Sequence, residues 1–460
     1  MSPTDRIARL ERALAAEFPP EQLSADDDVL GDFSIDESHA APHAPGLAFW
    51  PRSTREVQRA LTLCGELGVP VTPSGARTGK SGGAVPLRGG LALSLERMNR
   101  IRELSAEDMV AVCEPGVITG DLMRAAEARG LFYPPDPASL SECTLGGNVA
   151  ENAGGPRAFK YGVTRDYVLG LEVALMSGGL LRTGHRSIKG VAGYELTSLF
   201  VGAEGTLGVV TEITLQLMPL PRAVVTALFT FGSLAGAAQA VSAILAGGAL
   251  PRTLELMDDT AVAAVHGRHF DFPEGTRAAL IVELDGETPA PLLDGLRAIE
   301  ARVRRFDLKR VWTAAGEAER ERLWTARRTV ARALRELAPH KVSEDIAVPR
   351  SQIVAAIESA KAIGQSRGLV TATYGHAGDG NLHVNFLFGD ETPRRDVEGA
   401  IEALLARAVE LGGTITGEHG VGLTKRRYLP RELGEESFAL HRALKALLDP
   451  QGLLNPGKIF

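Results

Sequence analysis

Two apolar runs, LVTATY (369–374) and VNFLF (384–388), flank a short loop, Ala377-Gly378-Asp379-Gly380. That tetrad has the composition of a four-residue hairpin loop. Regular pairing sets His376 opposite Asn381 and Tyr374 opposite His383. The two-residue period of a strand then puts His376, Asn381, His383 and Asn385 on one sheet face, with the histidines diagonal neighbours roughly 7–8 Å apart at the backbone.

Elsewhere the pattern predicts a strand–helix–strand unit over residues 47–75. Ser53 and Glu56 form a capping box, and the helix runs to about Leu67 with Gly68 as its stop. Strands LALSL and MVAVCEPG follow, then a helix from about Gly120 to Arg129. Ser141 caps a short helix over 144–149. A hairpin turns at Ser177-Gly178-Gly179, and VVTEITLQL alternates as a strand. Pro219 and Pro221 mark a domain boundary. From about Val224 strands and helices interleave: strands near 226–231, 252–257, 279–284, 308–313 and 341–348, helices over 234–246, 290–304, 316–338, 350–367 and 392–411, and a last helix over 434–448. This is split β-α-β grammar, an antiparallel sheet with helices on one face, and the class is α+β.

A chain of 460 residues is too long for one simple core. Glycine accounts for 51 residues, above the usual roughly 7 %, and the excess lies in loops between apolar runs, as backbone-lined sites require. The net charge of −7 and an aromatic content of 5 % give no case for nucleic acid. Cys64, Cys113 and Cys143 stand far apart, which excludes a disulfide framework or cysteine metal cluster and fits a reducing compartment. The N-terminal TDRIARLERALAAEF reads as a charged amphipathic helix, and no run reaches 18 apolar residues.

Two loops carry chemistry in the first half. PSGARTGKSGG (73–83) ends like a P-loop, but Ser74 stands where the first glycine belongs, and Gly82, Gly83 and Pro86 would break the helix that must follow. It reads instead as a nest of N–H groups for a pyrophosphate. PPDPASLSECTLGGNVAENAGG (134–155) is the second such loop. In the second half, His376 and His383 lie beside another cluster, Gly417-Glu418-His419-Gly420. Three ligands drawn from His, His and Glu, with one position open, are the pattern of a catalytic metal site.

On PSGARTGKSGGAVP, GGNVAENAGGPRAFKYGVTRDYVLGLEV, KGVAGYELTSLFVGAEGTLGVVTEI, GHAGDGNLHVN, TGEHGVG and LLNPGK, the chain resembles the FAD-linked D-2-hydroxy-acid dehydrogenases over about residues 43–460. That family takes in D-lactate dehydrogenase, D-2-hydroxyglutarate dehydrogenase and the flavoprotein subunit of glycolate oxidase, within the vanillyl-alcohol oxidase superfamily. The resemblance implies an N-terminal helical segment (1–42) and a two-subdomain PCMH-type FAD-binding domain (43–222). It also implies an antiparallel-sheet, ferredoxin-like cap domain (223–412) and a C-terminal segment (413–460) returning to the FAD domain.

By motif match the resemblance implies that Pro73, Ser74, Gly75, Ala76, Arg77, Thr78, Gly79, Ser81 and Gly82 hold the FAD pyrophosphate. Pro135, Asp136, Ser139, Thr144, Gly146, Gly147, Asn148 and Gly154 would line the second loop. Glu204, Gly208 and Val209 would lie near the adenine or ribitol, and Asn455 near the ring. The family's metal ligands fall on His376, His383 and Glu418, its base on His419, and its substrate-carboxylate arginine on Arg327, three residues after Trp324. A substrate-binding lysine falls on Lys341 with a one-residue shift, and Asn385 joins the substrate side. Ala331 stands where a second, hydroxyl-bearing contact would follow the arginine, which argues against a dicarboxylate. No histidine lies between His43 and His185, so FAD is expected to be non-covalent.

The implied reaction is oxidation of a small D-2-hydroxy acid, D-lactate or glycolate-like, with a divalent metal (zinc, or iron or manganese) assisting deprotonation by His419. Serving as the flavoprotein subunit of a glycolate oxidase complex, or acting on D-2-hydroxyglutarate, is the alternative. A non-redox enzyme of the alkyl-dihydroxyacetone-phosphate synthase type would carry consecutive histidines, which this chain lacks. Electrons would leave to a quinone, cytochrome, electron-transfer flavoprotein or iron–sulfur subunit. The expected location is the cytoplasm, with peripheral attachment to the inner face of the membrane and oligomerisation left open.

Overall fold

The computed structural model describes residues 2–460. The chain divides into two compact units. The first comprises 1–154, 162–220 and 418–460, and the second 155–161 and 221–417. Residues 1–42 group with the first unit, and the chain re-enters that unit at Glu418.

In the first unit a four-stranded sheet joins Leu23–Ser24, Leu47–Phe49, Leu91–Ser94 and Val71–Ser74, in that order. The last three run parallel. The helix Thr54–Leu67 starts on Ser53, whose hydroxyl accepts the Glu56 N–H, and stops at Gly68 with φ of 64°, where a side chain would be strained. Its apolar stripe (Val57, Leu61, Cys64) meets Leu47, Phe49 and Leu93 of the sheet, and Leu10 and Leu14 of the helix Pro3–Ala15 close the same core. The C-terminal segment returns to this sheet: Leu454 bridges Val71, and the Asn455 N–H donates to the Val71 carbonyl at 2.7 Å. A second sheet of five antiparallel strands has the order Ile101–Ser105, Val110–Cys113, Val209–Gln216, Val168–Ala174, Leu180–Gly184. The short helix Leu145–Glu151 is capped by Thr144, whose hydroxyl accepts the Gly147 N–H at 3.2 Å, rather than by Ser141; Thr144 sits three residues before the donor, the spacing a cap needs.

The second unit is built on one seven-stranded antiparallel sheet. Its order is Leu308–Ala314, Ala223–Phe231, Ala278–Gly286, Thr253–Met257, Val370–His376, Asn381–Phe388, His340–Ala347. Helices cover both faces, not one. Leu228, Met257, Ile281, Ala372, Tyr374 and Leu387 pack on the helices Asp259–Val265, Glu317–Arg328 and Val330–Arg335. From the opposite face Thr371 reaches the Ala360 carbonyl of the helix Ile353–Gln365. A strand buried on both sides must be apolar at odd and even positions alike, and LIV of AALIVELDG is so.

Two helical expectations change. The helix Asp259–Val265 escapes the periodicity because AVAAV reads equally well as a strand; Asp258 starts it by accepting the Ala261 N–H at 2.9 Å. The predicted helix over 316–338 is two helices, Glu317–Arg328 and Val330–Arg335. At the junction the Thr329 hydroxyl donates to the Thr325 carbonyl at 2.7 Å, a back-bond that competes with the helix ladder and bends it. Residues 155–161 leave the glycine loop of the first unit and are held within the second, where Tyr161 Oη donates to Asp285 at 2.5 Å and Lys160 pairs with the same carboxylate. Among the described residues, no helix is long and apolar enough to cross a membrane.

Candidate active site

The first unit contains a cleft of about 510 Å³. Its walls are the loop leaving the strand Val71–Ser74 and the loop that runs into the helix Leu145–Glu151. Pro73, Ser74, Gly75, Ala76, Arg77, Thr78 and Gly79 line the first wall, and Ser139, Thr144, Gly146, Gly147, Asn148 and Gly154 the second. Glu204, Gly208 and Val209 complete it, and Glu418 and His419 line it too. The loops touch closely. A Cβ on Gly75 would stand 2.2 Å from Thr144 Oγ1, and one on Gly146 would stand 2.6 Å from Pro115 Cβ. Glycine is required there for close approach rather than for an unusual φ. Ser74 Oγ and Arg77 Nη1 are buried without a hydrogen-bond partner, Arg77 Nη1 having only a long ion pair to Glu96 at 3.7 Å. Buried polar atoms are rarely left so, and a phosphate-bearing cofactor in this cleft would satisfy both.

Some expected cofactor residues stand behind the wall. Pro135, Asp136, Ser81, Gly82 and Asn455 do not line the cleft. Ser81 is fully buried, donates to Glu151 Oε1 at 3.1 Å and accepts the Leu423 N–H at 2.8 Å. Asn455 spends its amide on the Gly83 and Glu204 carbonyls, at 3.0 and 2.7 Å. Ser81 braces the turn after His419 through Leu423, and Asn455 does so through Glu204. Glu204 does the same, accepting the Val421 and Gly422 N–H groups at 2.7 Å each. Burial pushes the Glu204 carboxyl up to about 7 against those two hydrogen bonds and Lys458. Gly420, at φ of 86°, sits against Glu151 and Glu204. Glu418 and His419 would alternate in an ideal strand, yet the turn brings both to one cleft.

In the second unit the predicted hairpin has the expected register. His376 pairs with Asn381, Tyr374 with His383, and Ala372 with Asn385. The two imidazoles meet edge to face with centroids 5.4 Å apart, and the Tyr374 ring lies 5.5 Å from His383. Lys341 and Asp345 pair with Leu387 and His383, which puts them on the same face. Asn385 donates to the Ala372 and His383 carbonyls, while its Oδ1 is buried with no hydrogen-bond partner. Trp324 and Arg327 are one turn apart on the helix Glu317–Arg328. The indole donates to Glu283 at 2.8 Å, pinning the helix to the sheet, and Arg327 then reaches Glu255 with Nε at 2.7 Å while its guanidinium lies 4.4 Å over the Tyr374 ring. That contact explains the three-residue spacing after the tryptophan.

Glu255 and Asp345 were not singled out from sequence. Glu255 is fully buried, paired in register with His376, and bonded to His376 Nδ1 through Oε1. Burial alone would raise its pKa, but the His376 imidazole and the Arg327 guanidinium outweigh that and hold it at about 2. Asp345, also fully buried, accepts the Thr416 hydroxyl at 3.1 Å. The legible signal was an acid among apolar residues for Glu255, in the fully buried strand TLELM, since such a charge is rarely buried unpaired; Asp345, in the half-exposed edge strand HKVSEDIA, had no such signal.

The residues present fit a flavin and a divalent ion. The cleft supplies buried donors with no hydrogen-bond partner, and the histidine face supplies two imidazoles, one with Nδ1 held by a carboxylate as metal-binding histidines commonly are.

Two family models match: FAD linked oxidases, C-terminal domain, over residues 220–459, and FAD binding domain, over residues 45–184. The chain is 44 % identical over 433 residues to glycolate oxidase subunit GlcD of Bacillus subtilis, covering 93 % of this chain and 92 % of that one. It is 35 % identical over 455 residues to the D-lactate dehydrogenase of Anaerostipes hadrus, covering 96 % and 95 %. The solved structure of p-cresol methylhydroxylase with substrate bound superposes with a TM-score of 0.80 at 18 % identity, over 99 % of this chain and 97 % of that one, a likeness of fold. The chain therefore belongs to the FAD-linked oxidases and is an FAD-dependent oxidoreductase.

Proposed function

We propose that the protein oxidises a small D-2-hydroxy acid, D-lactate or a glycolate-like acid, to the 2-oxo acid. The observation that carries this is the buried polar face of the second unit, where Glu255, His376, His383, Asn385 and Arg327 lie on one side of the sheet. A small acid with one carboxylate and one hydroxyl has groups to match such a face. The 44 % identical glycolate oxidase subunit and the 35 % identical D-lactate dehydrogenase support the same reading.

FAD, when bound, supplies a non-covalent hydride acceptor, and a divalent ion (zinc, or iron or manganese) supplies Lewis acidity that lowers the pKa of a coordinated hydroxyl. His376, His383 and Glu418 would hold that ion. Support comes from the chain itself: Gly417 is anchored to Asp345, the register partner of His383, and Glu418 is the next residue. Arg327 makes its hydrogen bond through Nε, which leaves the terminal nitrogens to grip the substrate carboxylate as a fork. Lys341 and the bare Asn385 Oδ1 serve the substrate on the same face. His419, in the cleft beside Glu418, takes the hydroxyl proton.

A role as the flavin-bearing subunit of a glycolate oxidase complex is the second reading, favoured by the B. subtilis relative. Ala331 packs on the core of the second unit and offers no hydroxyl, which speaks against a dicarboxylate such as D-2-hydroxyglutarate. The three cysteines are buried and unpaired, so electrons would pass to a separate quinone, cytochrome, electron-transfer flavoprotein or iron–sulfur partner. The same free thiols favour the cytoplasm, with peripheral attachment to the inner membrane face as the variant of that location.

The test is an anaerobic panel of D- and L-2-hydroxy acids with the FAD-loaded protein. D-lactate or glycolate should bleach the flavin band and L-lactate should not. A flavin that stays oxidised with every acid of the panel would rule this function out.

A further inference from the structure

Glu255 uses both carboxylate oxygens on the groups assigned to metal and substrate. Oε1 meets His376 Nδ1, and Oε2 accepts Arg327 Nε at 2.7 Å. Its strand, Thr253–Met257, is paired on both sides, by Ala278–Gly286 and Val370–His376. The carboxylate is therefore fixed by backbone on two edges and is fully buried. The Tyr374 ring, on the same face as His376, lies under the guanidinium at 4.4 Å.

These contacts constrain both partners. A neutral imidazole carries one N–H and one lone pair. A carboxylate at Nδ1 keeps the proton there, so the lone pair is at Nε2. A guanidinium held by Nε on one edge and by an aromatic ring on its face has a set plane, and a fork is selective only when its plane is set. We propose that Glu255 is the positioning residue of this site, presenting Nε2 of His376 to the metal and orienting Arg327 for the substrate carboxylate. One side chain would then set the angle between the two anchoring points of a 2-hydroxy acid. The inference rests on the function proposed above.

The test uses the full-length, FAD-loaded protein after metal removal, titrated with zinc against a chelating dye. Wild type, Glu255→Gln, His376→Ala and the double variant are compared. Glu255→Gln should weaken zinc binding ten- to a hundredfold and raise KM for the acid more than it lowers kcat, with flavin content unchanged. In the His376→Ala background the same substitution should cost zinc affinity nothing further. Should Glu255→Gln fail to fold, Glu255→Asp keeps the charge but withdraws it by one methylene, and about a tenfold loss is expected. Wild-type zinc affinity in the first foldable variant, or a loss that persists undiminished without His376, overturns the proposal, as does a wild type that binds no zinc. The titration needs no substrate. A protein that binds zinc in this way but whose flavin no 2-hydroxy acid bleaches would sink the substrate assignment alone.

Discussion

Asp345 accepts the backbone N–H of Gly417 at 2.7 Å and stands opposite His383 in the sheet. The glycine is itself pressed onto the Asn381 amide, which a Cβ would meet at 2.1 Å. The last residue before Glu418 is thus tied to the strand that carries His383 and to the strand beside it, by one carboxylate and by the lack of a side chain. Asp345→Ala removes the Gly417 and Thr416 hydrogen bonds, each worth about 1.5–3 kcal/mol when the acceptor is charged. Metal affinity should fall at least about tenfold while FAD content stays near wild type. Metal analysis after dialysis against a weak chelator measures it; full metal retention would show that Glu418 needs no such tether.

His419 lines the cleft beside Glu418, on a turn that the left-handed Gly420 makes. His419→Ala should leave yellow, folded protein with turnover lowered about a hundredfold or more. Steady-state assay with D-lactate and an artificial acceptor gives the number. Wild-type turnover would exclude this imidazole as the base.

Removing the divalent ion with EDTA should abolish turnover and leave the flavin absorption spectrum intact, because His376 and His383 are not among the residues that line the cofactor cleft. Adding back zinc or manganese should restore the rate. Undiminished activity in protein shown by elemental analysis to be metal-free would end the case for Lewis-acid assistance.

Gly75 faces Thr144, the residue that caps the helix Leu145–Glu151. Gly75→Ala forces a methyl to within 2.2 Å of Thr144 Oγ1, so the cap must break or the loops must part. Helix caps are worth about 1 kcal/mol, and FAD affinity should drop by about tenfold with it. Flavin titration of apoprotein reads this directly; unchanged affinity would mean that the loop relaxes without disturbing the cleft.

Asp258 caps the helix Asp259–Val265 through Oδ1, while its Oδ2 faces Lys361 at 3.4 Å. Burial pushes this carboxyl up from 3.8 to about 6, against the pull of Lys361. A raised folded-state pKa means that the native chain holds the extra proton. That stabilisation is complete below about 3.8 and is lost as pH rises through about 6. Asp258→Asn keeps the capping oxygen and removes the titration. It should exceed the parent in stability at pH 8 by on the order of 2 kcal/mol, and the gap should close near pH 4. Urea unfolding at the two pH values decides; a gap that does not change with pH would refute it.

The amino-acid sequence alone determined what depends on near neighbours. The register that pairs Tyr374 with His383 follows from alternation about a four-residue loop, and the helix Thr54–Leu67 follows from Ser53 at one end and Gly68 at the other. These are local rules of period, cap and turn. The glycine loops and the histidine hairpin were legible for the same reason, since their residue types do the work at short range. Tertiary structure decided what joins distant positions. Glu255 meets His376 and Arg327 across 121 and 72 residues, and Asp345 meets Gly417 across 72. Ser81 and Asn455 carry the same motif signal as the cleft residues, yet they brace the turn behind it. Burial on both sheet faces belongs to this second kind as well. Which polar groups share a buried surface is set by strand order and packing, and no local pattern encodes a strand's neighbours.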